Sequence, residues 1–320
     1  MFFSKKQLLI FIALTHILFP FVLITSLFYL GTQTLIIVIP SILLIGMILF
    51  TLFKIGAWEC TNYYIRYVIL ILFLILSIYC FLQVKVITNY LDSEYICMTI
   101  LGVMIVGFVI YNIKIALAIK KPKHFIKLLF TLRRGRYLIT DGGDGMKCAG
   151  INYHYKANVH TEKNTNTSMQ FAVDIVSIDK RGRTVSSLLT DDNRDYKIFH
   201  EPVYSPCGGK IVEVVSDINN NKPFSKKYPY NVGNHIVIKK GEYYIVIGHL
   251  EKNSIKVKVG EKVQIGQFLG NVGNSGLTPR PHIHMQVSKA SDEFYWKGEG
   301  VPIIFNGYFY PVKNEIIKIT

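Results

Sequence analysis

Cysteine is scarce in this chain, with five in 320 residues (Cys60, Cys80, Cys97, Cys148 and Cys207) and no C-x-x-C pair. An odd, scattered set excludes a complete disulfide framework; the thiols read as free and leave the redox compartment undecided. Zinc-finger spacing and the aromatic RNA-binding motif are missing too, so nucleic acid is a poor partner for the formal net charge of +15. Acidic residues are few at the start: up to Pro122 there are 3 Asp/Glu against 8 Lys/Arg, and beyond it 18 against 28. The first apolar run has no small-residue cleavage site and is followed at once by another, which argues against a signal peptide despite Lys5 and Lys6 before it. No Lys-Ser/Thr follows Gly273–Gly276, so that segment reads as a turn and not a phosphate loop.

Long apolar runs are what the first part does have. Leu8 to Leu30, Leu35 to Phe53, Tyr67 to Ile87 and Cys97 to Ile119 each approach the ~20 residues that a helix needs to cross ~30 Å of hydrocarbon. Residues 1–122 therefore read as a membrane domain with four transmembrane helices. Pro20 and Pro40 are tolerable there, because neighbouring helices satisfy the carbonyls they free. His16 and Asn112 are the notable polar residues at depth; they serve either an interhelical hydrogen bond or, if the helices are the active unit, a transport path. Lys5, Lys6, Lys54, Arg66, Lys120, Lys121 and Lys123 flank the spans on one side, against Lys85, Asp92 and Glu94 on the other. The positive-inside rule then places both termini in the cytoplasm.

Residues 123–145 interleave basic side chains (Lys123, Lys127, Arg133, Arg134, Arg136) with apolar ones (Phe125, Ile126, Leu128, Leu129, Phe130, Leu132). From Lys123 to Arg136 this pattern suits a basic amphipathic helix lying on membrane lipids, the main part of a linker that ends in the turn cluster Asp141–Gly145. Residues 146–320 lack helical periodicity and read as an all-β antiparallel domain of short strands and turns. Lys210–Val215 alternates, and His235–Ile238 and Tyr243–Ile247 flank Gly241 as a hairpin.

The chemistry concentrates at Pro281-His282-Ile283-His284-Met285-Gln286-Val287. Residues two apart on a strand share a face, so both imidazoles address one site, where one ring can hold a metal while the other moves protons. Asp174, between Val173 and Ile175, is a carboxylate facing inward in need of a partner. His124, His200 and His235 read as surface or structural.

The segments Gly233-Asn-His-Ile-Val-Ile238, Gly248-His249-Leu250, Gly270-Asn-Val-Gly273-Asn-Ser-Gly276 and Pro281-His282-Ile-His284, with Val203–Pro206 and Gly209–Val212 upstream, resemble the lysostaphin-type (LytM-like) zinc metallopeptidases from about Ala172 to Val287. The resemblance implies an antiparallel β domain with one zinc ion. Asp174 and His284 would be ligands, His249 and His282 the groups that polarise the attacking water and stabilise the oxyanion, and peptidoglycan peptides the substrate. The pattern departs at the first ligand, where Gln170 stands four residues before Asp174 in place of the family's His, a weaker zinc partner. Ala172 stands midway, where the family often has Gly. Either His154 or His160 replaces the missing imidazole, or the domain is a catalytically degenerate, membrane-tethered binding or regulatory module. A wall substrate also requires the domain outside the cell, against the cytoplasmic placement that the charges imply.

Overall fold

The computed structural model describes residues 5–31, 33–84, 92–156, 167–187, 190–225, 232–290 and 295–320. The chain divides into a helical unit, Gln7–Ala116, and a sheet unit that includes Leu117–Thr320.

Four helices, Ile10–Leu30, Leu35–Ile55, Ile65–Gln83 and Tyr95–Ile119, are long and apolar enough to cross a membrane. The first winds as a π-turn over Ala13–Leu18, where His16 lies. His16 Nε2 accepts the Ala57 N–H at 2.9 Å, and its ring meets Trp58 edge-on. Asn112 donates to Thr51 Oγ1 at 3.0 Å, the interhelical bond expected of a polar group at depth. Arg66 is buried with its guanidinium over Phe53 and Tyr63, 4.3 and 4.0 Å from the ring centroids, and it also donates to the hydroxyls of Tyr63 and Tyr67.

The strands of the sheet unit are β1 (Ile126–Leu128), β2 (Gly135–Asp141), β3 (Val173–Ser177), β4 (Pro202–Tyr204), β5 (Gly209–Val215), β6 (Asn234–Lys240), β7 (Tyr243–Leu250), β8 (Lys262–Val263), β9 (Phe268–Asn271), β10 (Ile283–Lys289), β11 (Glu299–Gly300), β12 (Ile303–Phe305) and β13 (Ile316–Ile319). The principal sheet runs β13-β2-β3-β10-β7-β6-β5-β8, with β11 on β10, and its neighbours are antiparallel. Alternate residues of β3, β6, β7 and β10 enter one core with Ile175, Ile236, Ile247 and Met285. The β6–β7 hairpin turns at Gly241, φ +61°. One departure from the antiparallel expectation is the parallel pair β1–β12.

The expected amphipathic linker helix is corrected. Residues 126–128 and 135–141 are strands, and Ile126, Leu128, Phe130 and Leu132 belong to the sheet's own core. The apolar residues that fit a helix also recur at every second position, and β12, remote in sequence, settles the choice by pairing with β1. Arg133 donates to the Gly266 carbonyl at 3.0 Å and covers the Tyr204 ring, so it serves the domain's packing.

Candidate functional site

Strand register creates the site. β10 lies between β3 and β7, with His284 opposite Asp174 on one side and Gly248 on the other. Two residues earlier on the same face stands His282. His249 reaches the same cleft through a bulge: two residues of β7, Gly248 and His249, oppose one of β6 between the pairs Asn234–Leu250 and Ile236–Ile247. His249 accordingly has φ +61°, and such bulges re-aim side chains. The 273–276 turn passes close behind, and Gly233 is required there because a Cβ would lie 2.2 Å from the Ser275 carbonyl oxygen. That carbonyl accepts a hydrogen bond from His249 Nδ1 at 2.8 Å.

His154 completes the cluster from a short helical turn, His154–Lys156. Its Nε2 lies 3.3 Å from Asp174 Oδ2, and His284 Nδ1 lies 3.0 Å from Asp174 Oδ1. One donor atom from each of His154, Asp174 and His284 lies within 4.8 Å of the others. Ligand bonds of ~2.0–2.1 Å put two ligands of a tetrahedral zinc ion about 3.3 Å apart, so these separations suit one ion. His249 and His282 stand beside the cluster, their ring centroids 4.6 Å apart. All five side chains line one open cleft of about 240 Å³, with Tyr153, Leu277, Pro279 and Arg280 on its walls.

The electrostatics also fit a cation. Burial would raise the Asp174 pKa, but His154 and His282 overcome it and hold the carboxylate well below its ordinary range. Burial pushes His284 down, and its Nε2–H donates to Gln286 Oε1 at 3.1 Å. The neutral ring therefore turns a bare Nδ1 towards a carboxylate, a pairing that a positive ion would relieve. Burial first, then the neighbouring His282 and His284, holds His249 well below its ordinary value. For His154 burial works downwards, but the Asp174 charge prevails and raises it.

Asp174, His249, His282 and His284, four of the residues singled out in the sequence, line this one cleft. Gln170 does not join them: its amide donates to Asp144 Oδ1 at 2.9 Å, which corrects the expectation that it reaches the metal cluster. It lies in the turn before β3 and is not among the residues that line the cleft. Of its two suggested substitutes, His154 is in the cluster, and His160 lies outside the described residues. Sequence reasoning missed the groups that orient the rings, Asn152, Gln286 and the Ser275 carbonyl. The signal for Gln286 was present, since 282, 284 and 286 share a strand face. His235 is structural, bonded to Glu213 and the Gly233 carbonyl.

An antiparallel sheet that gathers His and Asp donors in one cleft makes a site able to hold a metal ion. Residues 195–296 match peptidase family M23, so the sheet unit carries a domain of that family. His249, His282 and His284 fall inside the matched segment, whereas His154 and Asp174 precede it. The peptidoglycan DD-endopeptidase ShyA of Vibrio cholerae is 34% identical over 86 residues, 27% of this chain and 17% of that protein. An uncharacterized metalloprotease of Buchnera aphidicola subsp. Baizongia pistaciae is 35% identical over 83 residues, covering 26% of this chain and 20% of its own length. The chain thus spans a fifth or less of these relatives. Among solved structures, a zinc-containing peptidase from Vibrio cholerae aligns at 21% identity and TM-score 0.30 over 54% of this chain and 39% of that one. Lysostaphin from Staphylococcus simulans aligns at 24% identity and TM-score 0.25 over 39% of each chain.

Proposed function

We propose that the sheet unit is a zinc metalloendopeptidase acting on the peptide part of peptidoglycan, anchored in the cell membrane by the four apolar helices. The observation that carries this reading is the His154–Asp174–His284 cluster, with two further imidazoles beside it. His154, Asp174 and His284 would hold one zinc ion and leave a position open. Bound there, zinc supplies Lewis acidity and lowers the pKa of a coordinated water. His249 donates its Nδ1 proton to the Ser275 carbonyl, so Nε2 offers a lone pair. Held neutral by its surroundings, it takes the proton of the attacking water. His282 donates Nδ1–H to the Arg280 carbonyl at 3.0 Å, which fixes the ring with Nε2 at the cluster, 3.3 Å from Asp174 Oδ2, and its role is to stabilise the oxygen that becomes negative on the scissile carbonyl. The ShyA relative supports the substrate class.

A degenerate module, the alternative that Gln170 raised, has less support because His154 supplies an imidazole at the cluster. The test uses the full chain in detergent: zinc by elemental analysis, and release of peptides from peptidoglycan with and without a chelator. Stoichiometric zinc and chelator-sensitive cleavage are expected, and folded protein with neither would sink the reading.

The side of the membrane is open to a separate test, because Lys/Arg flanking the spans places the sheet unit in the cytoplasm while a wall substrate places it outside. A His124→Cys variant lacking the native cysteines, treated with an impermeant thiol reagent on intact cells, decides. Labelling before lysis supports the wall-facing enzyme; labelling only after lysis overturns the wall as its substrate.

A further inference from the structure

Register fixes Asp174 and His284 to each other, but it does not reach His154. That residue arrives on the segment between β2 and β3, outside any strand, and something else must set both its place and its tautomer. Asn152 is fully buried two residues before it. Its Nδ2 donates to the Gly143 carbonyl at 3.0 Å and the Ala172 carbonyl at 2.8 Å, tying the segment to the entry of β3. With both amide hydrogens used, Oδ1 can only accept, so His154 Nδ1, at 2.9 Å, must be the donor. The same oxygen accepts the His154 backbone N–H at 3.2 Å. A neutral imidazole protonated at Nδ1 carries its lone pair on Nε2, the atom beside Asp174. Gln170 reinforces the arrangement: its amide holds Asp144, and its carbonyl accepts the Gly145 N–H at 2.9 Å. The residue at the place of the family's first ligand thus helps to anchor the segment that delivers a different imidazole.

We propose that Asn152 is the positioning residue for His154, selecting the Nδ1–H tautomer and holding Nε2 towards Asp174 for zinc. This rests on the zinc reading above, and the test separates the two. Zinc affinity is measured by chelator competition on the full chain in detergent for wild type, Asn152→Ala, Asn152→Asp, His154→Ala and the Asn152→Ala/His154→Ala double variant. Melting of each in chelator reports the fold independently of metal.

Removing such an outer hydrogen bond typically costs about 10–100-fold in metal affinity, the loss expected for Asn152→Ala. Asn152→Asp keeps the acceptor and loses both amide donors, so it should bind zinc more tightly than Asn152→Ala even though its fold is no more stable. In the His154→Ala background the Asn152→Ala change should cost nothing further, since the group it orients is gone. Equal losses on both backgrounds, wild-type affinity in Asn152→Ala, or no recovery in Asn152→Asp would each overturn the inference and assign Asn152 to folding alone. If the alanine variant does not fold, Asn152→Asp against wild type carries the test, with affinity within about tenfold expected and a greater loss overturning it. Wild-type protein that binds no zinc overturns the zinc reading itself, and His154→Ala with wild-type affinity removes His154 from the ligand set. The inference falls with either.

Discussion

In the helical unit three polar side chains are each met by a nearby group of their own: Asn112 by Thr51, His16 by the Ala57 N–H, Arg66 by two tyrosine hydroxyls and two ring faces. In the sheet cleft the buried polar groups are aimed at one another. Three imidazoles, His154, His282 and His284, lie within 3.3 Å of the single carboxylate of Asp174, and the His249 ring packs at a tilt against His282. Satisfied pairs make packing specific, whereas convergent ligand atoms leave chemistry to be done. Burial alone does not distinguish the two cases, since His16 in the helical unit and His284 in the sheet cleft are both buried. Partner type does.

The sharpest way to break this contrast is to remove a proposed ligand. Asp174→Ala or His284→Ala should abolish zinc binding and bring peptidoglycan cleavage below detection, while metal-free melting changes far less than the loss of function. Elemental analysis and a peptide-release assay check this, and full zinc occupancy in either variant would dissolve the distinction between cleft and helices. Next in size is His249→Ala. Loss of a positioned general base costs about 10²–10⁴ in rate, and because His249 is outside the ligand trio, zinc content should stay at the wild-type level. Loss of zinc together with rate would move His249 into the ligand set.

Much of this was legible in the sequence, for a physical reason. His282, His284 and their neighbours follow one strand, where a period of two settles which side chains meet, and apolar runs of about 20 residues, the length needed to cross a membrane, are legible by length and composition alone. His154 was visible only as one of two substitutes. Its approach depends on Asn152 bonding to Gly143 and Ala172 across a loop, and no periodicity encodes that. The run from Lys123 to Arg136 was misread as helix because a run so short fits both a helical face and strand alternation, and β12, far along the chain, decides for strand at 126–128. The bulge that turns His249 inward is likewise a property of two paired strands.

On the other side of the contrast, Asn112→Val in the helical unit removes a hydrogen bond that ends with its partner. Such bonds average about 0.6 kcal/mol and reach about 1.7 in membrane helices. A fall in the melting temperature of the helices with unchanged zinc affinity and cleavage is expected. Altered zinc affinity would show that this bond does more than pack.

The smallest effect sharpens the rule most, because it lies inside the sheet unit. Glu201 is a partly buried carboxylate that accepts from the hydroxyls of Ser177 and Tyr137, so by partner type it belongs with Asn112 and not with Asp174. Burial raises its pKa above the ordinary 4.5, and the two hydroxyl bonds only partly offset that. The folded state therefore holds the Glu201 proton to higher pH than the unfolded chain does. Its contribution is fully present below about pH 4.5, falls as the unfolded chain ionises, and is lost once pH has risen through the folded value. Glu201→Gln keeps an acceptor and a donor at the same place but cannot ionise. The melting temperature of the variant minus that of wild type should rise between pH 4 and 7, by about 2–4 °C for each kcal/mol in a domain of this size. Other titrating groups cancel in the difference. Zinc affinity should not move, because neither hydroxyl partner touches the ligand cluster; a difference that is flat or falls with pH would show that Glu201 gains more from ionisation than burial costs it.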